Sequence, residues 1–425
     1  MKLAVIGGGS TYTPELVAGL ARERERLELN ELVLQDPDPE RREVVGGLAA
    51  RMLAAAGYDG QLVVTDELDL ALEDASFVLV QLRVGGQAAR LTDETIPLAC
   101  GCIGQETTGA GGLGKALRTV PVVLEIAERV RELAADDAWI VDFTNPVGIV
   151  VRSLLDAGHR AVGLCNVAIG VQRHVARMLD VEPERVLIDQ VGLNHLTWVR
   201  AIHVDGDDVL PELIEERAEE LAGSADLPPS LLERLGVIPS YYLRYFYFHD
   251  QKLEEQLTGK PRAAEVAEIE HELLELYRDP ALTTKPALLE RRGGAYYSEA
   301  ATQLVAALAT DSGDVQVVDV RNNGTLAGLA DDDAVEIPAR IGSDGAAPLP
   351  QAALAPELLG LAQHVAAYER LAAQAAVTGD RELVYKALLT HPLVGQAPQA
   401  ERLTEELLEA GRQHLPQFAS REPVG

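Results

Sequence analysis

The chain has 425 residues, of which 47% are hydrophobic and 24% are charged, so it is long enough for about two globular domains of ordinary composition. The formal net charge of −30 argues against nucleic acids and anionic membranes as partners, because their phosphates repel an acidic surface. No apolar run reaches the length of a membrane span, and Lys2 leads into a strand pattern rather than a signal peptide, which predicts a cytoplasmic protein without a membrane partner.

Short apolar runs and helical patterns alternate over the first 165 residues. This alternation predicts a parallel, doubly wound sheet, and six strands in this order make a complete Rossmann dinucleotide-binding domain over residues 1–165. A helix is expected from the turn after the first strand to about residue 25. The predicted strands are 2–6, 31–35, 61–64, 77–82, 138–143 and 160–164.

A glycine turn separates the first predicted strand from the first predicted helix. Gly7 permits a tight turn, and Gly9 lets backbone N–H groups approach a pyrophosphate at the helix N-terminus. The predicted cofactor-binding residues of this turn are Gly7, Gly8, Gly9, Ser10 and Thr11. Asp36 ends the second strand, where a carboxylate binds a ribose 2′-hydroxyl and favours NAD over NADP. Tyr12 replaces the third glycine of the usual motif, and a glycine turn without a ligand is the alternative.

Three later segments of this half are rich in polar residues and glycine, namely 83–90, 103–112 and 143–146. Each follows or approaches the carboxyl edge of the predicted sheet, where such folds bind ligands. Arg83 and Arg90 could hold an anionic group, because guanidinium binds such groups bidentately. Solvated arginines on surface loops are the alternative.

Residues 166–425 show a different pattern of predicted strands and helices, which indicates an α+β domain. Two adjoining strands are expected over 185–204, and helices are expected over 212–222, 252–277, 363–377 and 400–415. The helical character of this half favours a homodimer or homotetramer. The last five residues, 421–425, are expected to fray.

Cys165 and His195 are candidate metal ligands. Cys165 directly follows the sixth strand, and His195 lies between two apolar strands. A thiolate and an imidazole can share a divalent transition metal and leave positions for substrate oxygens. From spacing alone, a buried cysteine and a hydrogen-bonded histidine are the commoner arrangement. Cys100 and Cys102 form C-x-C without a second pair, which indicates packing residues rather than a zinc site.

The segment 238–247 carries four of the eleven tyrosines. An aromatic run usually belongs to a core, but a tyrosine beside a metal or an arginine ionises more easily and can act as a base.

Ordered motifs over most of the chain resemble family 4 of the glycoside hydrolases, and within it most nearly the 6-phospho-β-glucosidases. The motifs are GGGSTYTPEL at 7–16, RVGG at 83–86, IGQETTG at 103–109, LRT-PV at 117–122, FTNP at 143–146, GLCN at 163–166, GLNH at 192–195, P-S-Y-Y-L-R-Y at 239–245, RGGAYYSEAA at 292–301 and NNG at 322–324.

The resemblance implies a chemistry that differs from two-carboxylate glycoside hydrolysis. NAD⁺ takes hydride from C3 of the sugar, and the resulting ketone acidifies the C2 proton. A divalent metal, often Mn²⁺, is held by Cys165 and His195 and stabilises the enolate. A tyrosine removes the C2 proton, the aglycon leaves C1, water adds, and hydride returns to C3.

The resemblance also assigns roles to individual residues. Tyr242 is the expected base by its register after Pro239, with Tyr241 as the alternative. Sugar binding is expected from Asn145 and Asn194, and binding of the 6-phosphate from Arg90 and Arg292. The substrate-binding set is completed by Arg83 and Asn166, and Asn145 is also expected at the cofactor.

Two positions bear on the substrate, expected to be a phosphorylated disaccharide or β-glucoside. Asn166 favours β substrates, because an aspartate there goes with the α-type enzymes of the family. Ala168 departs from the proline that is usual in the β-type pattern. The alternatives are a family member acting on an unphosphorylated sugar or a uronide, a malate- or lactate-type dehydrogenase, and a non-enzymatic NAD-binding sensor.

Overall fold

The computed structural model describes residues 1–294 and 296–419. The expected fraying of 421–425 lies outside the described residues. Within those residues, thirteen strands form one sheet. The strands are β1 Lys2–Ile6, β2 Glu31–Gln35, β3 Gln61–Thr65, β4 Phe77–Val80, β5 Trp139–Asp142, β6 Ala161–Gly163, β7 Val186–Leu193, β8 Leu196–Val204, β9 Asp207–Asp208, β10 Ile238–Pro239, β11 Val315–Arg321, β12 Ala334–Gly342 and β13 Gly345–Pro348.

Helices cover the faces and ends of the sheet. The α-helices are α1 Thr13–Arg22, α2 Pro39–Ala55, α3 Leu68–Leu72, α4 Gly86–Ala99, α5 Gly109–Leu133, α6 Val147–Asp156, α7 Val167–Leu179, α8 Leu210–Ala225, α9 Pro229–Leu235, α10 Arg244–Tyr247, α11 His249–Thr258, α12 Arg262–Tyr277, α13 Leu288–Arg292, α14 Tyr297–Thr310, α15 Pro356–Thr378, α16 Arg381–Thr390 and α17 Ala397–Gly411. Short 3₁₀ helices occur at Glu23–Glu25, Pro183–Arg185, Tyr241–Leu243, Arg412–His414 and Pro416–Phe418. No helix among the described residues has the length and apolar character that crossing a membrane requires.

The first six strands are parallel and lie in the order β3-β2-β1-β4-β5-β6. This is the order of a doubly wound dinucleotide-binding sheet, so the predicted fold class is confirmed. The sheet continues through antiparallel strands as β11-β12-β7-β8-β10. Asp319 of β11 pairs with Gly163 of β6, which joins the two halves. The division at residue 165 stays a prediction.

The predicted elements match closely, with one correction. The two strands expected over 185–204 are β7 and β8, joined by a two-residue turn. The helix predicted over 252–277 is instead two helices, α11 and α12, separated by Gly259–Pro261. Proline lacks an N–H and clashes with the preceding turn, so a helix cannot continue through this sequence.

The sheet positions polar side chains at one edge. The carboxyl ends of β1, β4, β5 and β6 lead into the glycine turn, Gln81, Phe143 and Cys165 respectively. Their apolar residues are almost all buried, for example Leu3, Val5, Leu79 and Val141. Because the parallel strands are buried on both faces, their carboxyl ends are held in place at one edge of the sheet. The candidate functional side chains come directly after these strand ends.

Candidate active site

A cavity of about 960 Å³ opens at the carboxyl edge of the parallel strands. Its size suits a small-molecule site, and it lies where ligands bind in doubly wound sheets. It brings together residues that are far apart in the sequence. Of the predicted site residues, those that line it are Ser10, Arg83, Arg90, Asn145, Asn166, Tyr241, Tyr242 and Arg292.

The glycine turn has the geometry that a dinucleotide needs. Gly7 has φ 85°, and a Cβ there would lie 2.7 Å from the carbonyl oxygen of Gln81. A Cβ on Gly9 would lie 2.7 Å from the Asp36 carboxylate. Only glycine therefore fits these positions, and Ser10 and Tyr12, directly before α1, line the cavity.

Asp36 stands beside this turn, at the end of β2 as predicted. Its Oδ2 accepts a hydrogen bond from the Gly9 N–H at 2.9 Å, and its Oδ1 accepts one from Asp38 N–H at 3.0 Å. Thr11 is fully buried, and its hydroxyl donates to Glu270 at 3.2 Å. Asp36 thus holds the turn in place. The carboxylate lone pairs that are not used in these two hydrogen bonds would accept one from a ribose hydroxyl.

His195 lies at the tip of the β7–β8 hairpin with φ 64°, a left-handed conformation that is uncommon for a residue with a Cβ. Its carbonyl oxygen accepts a hydrogen bond from the Ser240 hydroxyl at 3.2 Å. The ring is buried, and its Nε2 has no hydrogen-bond partner in the part of the chain that the structure describes. Burial lowers the pKa of His195 to about 3, and the positive charge of Lys115 adds to this shift. A neutral imidazole with an unused nitrogen suits a metal.

The second proposed ligand, Cys165, is also buried. Its Sγ lies 3.8 Å from Asn166 Oδ1 and 3.7 Å from the Tyr297 hydroxyl. Burial raises the pKa of the thiol well above its ordinary value, so metal binding would have to release a proton. Across residues 1–294 and 296–419, no group of three or more His, Cys, Asp and Glu side chains is arranged to hold a metal. The two residues fit a site that is completed by ligand oxygens.

The structure distinguishes the two candidate tyrosines. The ring of Tyr242 stacks on His195, with centroids 3.7 Å apart and planes 20° apart. Burial raises the pKa of Tyr242 well above its ordinary value, and Cys165 adds to the shift. Tyr241 is 38% exposed, and the guanidinium of Arg244 lies 3.6 Å above its ring. Of the two candidates, Tyr242 is therefore the one that contacts a proposed metal ligand, His195, which favours it as the base.

The predicted arginines all face the cavity, but each is paired with a carboxylate. Arg83 binds Glu106, and Arg90 Nε lies 2.8 Å from Glu94 and 3.2 Å from Glu106. Arg292 Nη2 lies 2.8 Å from Glu270. A ligand anion would therefore meet guanidinium groups that carboxylates hold beside the cavity.

Glu106 and Lys115 line the cavity, although neither was predicted as a site residue; Glu106 lies in the polar segment 103–112 that the sequence indicated. Lys115 is buried, and its Nζ lies 2.7 Å from Glu106. Burial lowers the pKa of Lys115 to about 8. Burial raises the pKa of Glu106, but Arg83, Lys115 and Arg90 outweigh this and hold it well below its ordinary value. The sequence feature that could have identified this pair is the single lysine, Lys115, in the apolar, glycine-rich segment 109–120.

The three predicted asparagines lie in different surroundings. Asn145 lines the cavity beside Tyr297, and its Oδ1 is buried with no hydrogen-bond partner among the described residues. Asn166 also lines the cavity. The amide nitrogen of Asn194 instead donates to Glu336 at 2.8 Å in the buried interior. Its expected contact with the sugar stays a prediction.

Comparisons with known proteins show the family to which this chain is similar. The model of family 4 glycosyl hydrolases matches residues 2–181, and the model of their C-terminal domain matches residues 190–394. A probable 6-phospho-beta-glucosidase of Bacillus subtilis is 42% identical, over 99% of this chain and 98% of its own length. The 6-phospho-beta-glucosidase BglT of Thermotoga maritima is 38% identical, over 98% of this chain and 99% of its own length.

Solved structures extend the likeness to three dimensions. A 6-phospho-beta-glucosidase from Thermotoga maritima, solved with NAD and glucose-6-phosphate, has a TM-score of 0.91 at 38% identity, over 97% of this chain and 99% of its own. Another structure of that enzyme contains manganese as well. A malate dehydrogenase of Plasmodium falciparum shares only the fold, with a TM-score of 0.54 at 15% identity, over 89% of this chain and 99% of its own. The chain belongs to family 4 of the glycosyl hydrolases.

Proposed function

We propose that this protein hydrolyses 6-phospho-β-glucosides with the help of NAD⁺ and a divalent metal, for which Mn²⁺ is our first choice. The observation that carries the proposal is the stacking of Tyr242 on the buried, neutral His195. Tyr242 lines the cavity and His195 stacks directly behind it, so this pair would put a proton acceptor next to a metal ligand. Relatives named 6-phospho-beta-glucosidases are 36–42% identical over nearly the whole chain.

The residues present fit both groups. The glycine turn and Asp36 would hold the dinucleotide, because a Cβ at Gly7 or Gly9 would fill the space the backbone needs. Cys165 and the unpartnered Nε2 of His195 would hold the metal. When bound, NAD⁺ supplies a hydride acceptor for C3 of the sugar, and the metal supplies a Lewis acid for the carbonyl that results.

Tyr242 is the residue to which we assign proton transfer. A ketone at C3 acidifies the C2 proton, the ionised phenolic oxygen of Tyr242 would remove that proton, and the aglycon would then leave C1. Burial disfavours the phenolate, and a cation held by the stacked His195 favours it. Tyr242 therefore becomes an effective base only when the site is complete.

The remaining polar residues orient the sugar. Arg90 and Arg292, fixed by Glu94 and Glu270, would bind the 6-phosphate. Asn145 would use its unpartnered Oδ1 to accept a hydrogen bond from a sugar hydroxyl. Asn166, which follows Cys165, supports the β configuration, because the α-type members of the family carry an aspartate there.

The test is hydrolysis of p-nitrophenyl β-glucoside with and without a 6-phosphate, each with and without added NAD⁺ and Mn²⁺. We expect turnover only of the phosphorylated substrate and only with both additions. NADH should not accumulate, because the hydride returns to C3. Accumulation of NADH in step with product would contradict the proposal, and equal turnover of the unphosphorylated substrate would contradict its specificity.

A further inference from the structure

Glu270 of α12 connects the glycine turn to the wall of the cavity. It is 6% exposed, and its Oε1 accepts hydrogen bonds from donors on both sides. Thr11 donates its hydroxyl at 3.2 Å. Arg292 donates Nε at 3.1 Å and Nη2 at 2.8 Å, and Gln87 donates Nε2 at 3.0 Å. One carboxylate oxygen therefore receives donors from the turn and from two segments that border the cavity.

The same helix holds the glycine turn at further points. The second carboxylate oxygen of Glu270 lies 3.3 Å from Arg41, whose other nitrogen donates to the carbonyl oxygen of Gly9 at 3.3 Å. The hydroxyl of Tyr277, at the end of α12, donates to the carbonyl oxygen of Thr11 at 2.7 Å. The backbone from Gly9 to Thr11 is thus fixed to α12 by three side chains.

A second link runs through Tyr12, the residue that replaces the third glycine of the dinucleotide motif. Its hydroxyl donates to the carbonyl oxygen of Gly294, and the Arg292 guanidinium lies 5.5 Å from the centre of its ring. Gly294 has φ 88°, which lets the segment after Arg292 turn against Tyr12. Tyr12 and Glu270 therefore hold Arg292 from two directions.

Glu270 is negatively charged, as its contacts with Arg292 and Arg41 require. Burial raises its pKa, but Arg292 and Arg41 outweigh burial and hold the pKa below its ordinary value. Nη1 of Arg292 has no protein acceptor among the described residues, and it is left for a ligand in the cavity. Arg292 is thus oriented by Glu270 and still has donors to offer.

We propose that Glu270 is a positioning residue which couples the two ligands, so that NAD⁺ and a 6-phosphorylated sugar bind cooperatively. The inference rests on the proposed function. Glu270 joins Thr11 of the turn to Arg292, so a dinucleotide that stabilises the turn would also stabilise the orientation of Arg292. A second ligand then loses less conformational freedom when it binds. Two phosphate-bearing ligands in one cavity repel each other, so the coupling through Glu270 would have to outweigh this repulsion.

The experiment measures the affinity for glucose-6-phosphate by calorimetry, with EDTA present so that no turnover occurs. The ratio of the dissociation constants without and with saturating NAD⁺ reports the coupling. We expect about a 5-fold or larger tightening in the wild type and a ratio near one in Glu270→Gln, with each ligand still bound alone. Glu275→Gln is the matched control, because Glu275 lies on the same helix and pairs with the exposed Arg278. It should keep the wild-type ratio.

A wild-type ratio of one or less would overturn the inference, and so would a Glu270→Gln variant that keeps the coupling. If Glu270→Gln fails to fold, Tyr12→Phe takes its place, because it removes only the hydroxyl that reaches Gly294. A reduced ratio then supports the inference and an unchanged ratio overturns it. The proposed function fails separately, if the wild type neither binds glucose-6-phosphate nor hydrolyses phosphorylated β-glucosides.

Discussion

The imidazole of His195 stacks on the phenol of Tyr242, with ring centroids 3.7 Å apart and planes 20° apart. The two residues come from different elements, since His195 is at a hairpin tip and Tyr242 is in a 3₁₀ turn. Ser240, two residues before Tyr242, donates its hydroxyl to the His195 carbonyl oxygen. The proposed metal ligand and the proposed base are thus held as one unit, and they can be tested separately by substitution.

Tyr242→Phe keeps the stacked ring and removes the phenolic oxygen. We expect the rate of hydrolysis to fall about 10²–10⁴-fold, as for loss of a general base, while the thermal unfolding midpoint and Mn²⁺ affinity change little. A substrate deuterated at C2 should react more slowly with the wild type. Tyr241→Phe is the control and should stay active, because Tyr241 contacts Arg244 rather than His195. Full activity of Tyr242→Phe together with no isotope effect would remove both the base and the elimination mechanism.

Cys165→Ser and His195→Ala should each abolish metal-dependent turnover without unfolding the chain. Electron paramagnetic resonance of added Mn²⁺ should show weaker binding by more than the ~10–100-fold that loss of an outer partner costs. Oxidation of the Cys165 thiol should also inactivate the enzyme until a reductant is added. Cys102→Ala is the matched control, because Cys102 is equally buried but lies in the hydrophobic core. Activity of Cys165→Ser after chelation would show that the metal site is wrong.

Asp36→Ala tests the choice of dinucleotide. Loss of a hydrogen bond to a charged group costs about 1.5–3 kcal/mol, or roughly 10–150-fold in affinity for NAD⁺. Arg41 and Arg42 remain beside the empty position and can meet a 2′-phosphate, so the preference should move toward NADP⁺. Asp38→Asn is the control, since asparagine also caps the start of α2. An unchanged ratio of the two Michaelis constants would remove Asp36 from the ribose site.

The elements that depend only on neighbouring residues could be predicted from the sequence. β1 and β2 have the predicted bounds, because each is a continuous apolar run that ends at a turn or an acidic residue. The glycine turn, Asp36 and Cys165 could be placed for the same reason, since each follows such a run directly. Likeness to the family then selected Tyr242 from a run of tyrosines that periodicity could not resolve.

The sequence did not predict features that arise from distant contacts. β11 and β12 were not expected, although they join the two halves of the sheet and place Asp319 and Glu336 in its interior. Glu270 lies in an acidic helix among many exposed carboxylates, so nothing local distinguishes it. The amide nitrogen of Asn194 donates to Glu336, more than a hundred residues away, and no local pattern indicates this contact.

Glu369 is a buried acid that does not line the cavity. Glu369 of α15 is 6% exposed, and burial raises its pKa to about 8. The folded protein therefore keeps a proton on Glu369 that the unfolded chain loses near pH 4.5. The stabilising contribution of the protonated group is complete below that pH, and it is lost as the pH rises through about 8.

Glu369→Gln is neutral at every pH, so it should lose less stability than the wild type between pH 5 and 8. One proton bound over one pH unit is worth about 1.4 kcal/mol, so with each pH unit between 5 and 8 the thermal unfolding midpoint of the wild type should fall by about 2 °C or more relative to that of the variant. Glu357→Gln, on the exposed start of the same helix, should follow the wild type across this range. Because the comparison is between variants at each pH, titration of all other groups cancels. Parallel curves for Glu369→Gln and the wild type would show that Glu369 is ionised in the folded protein, and that another cation compensates its burial.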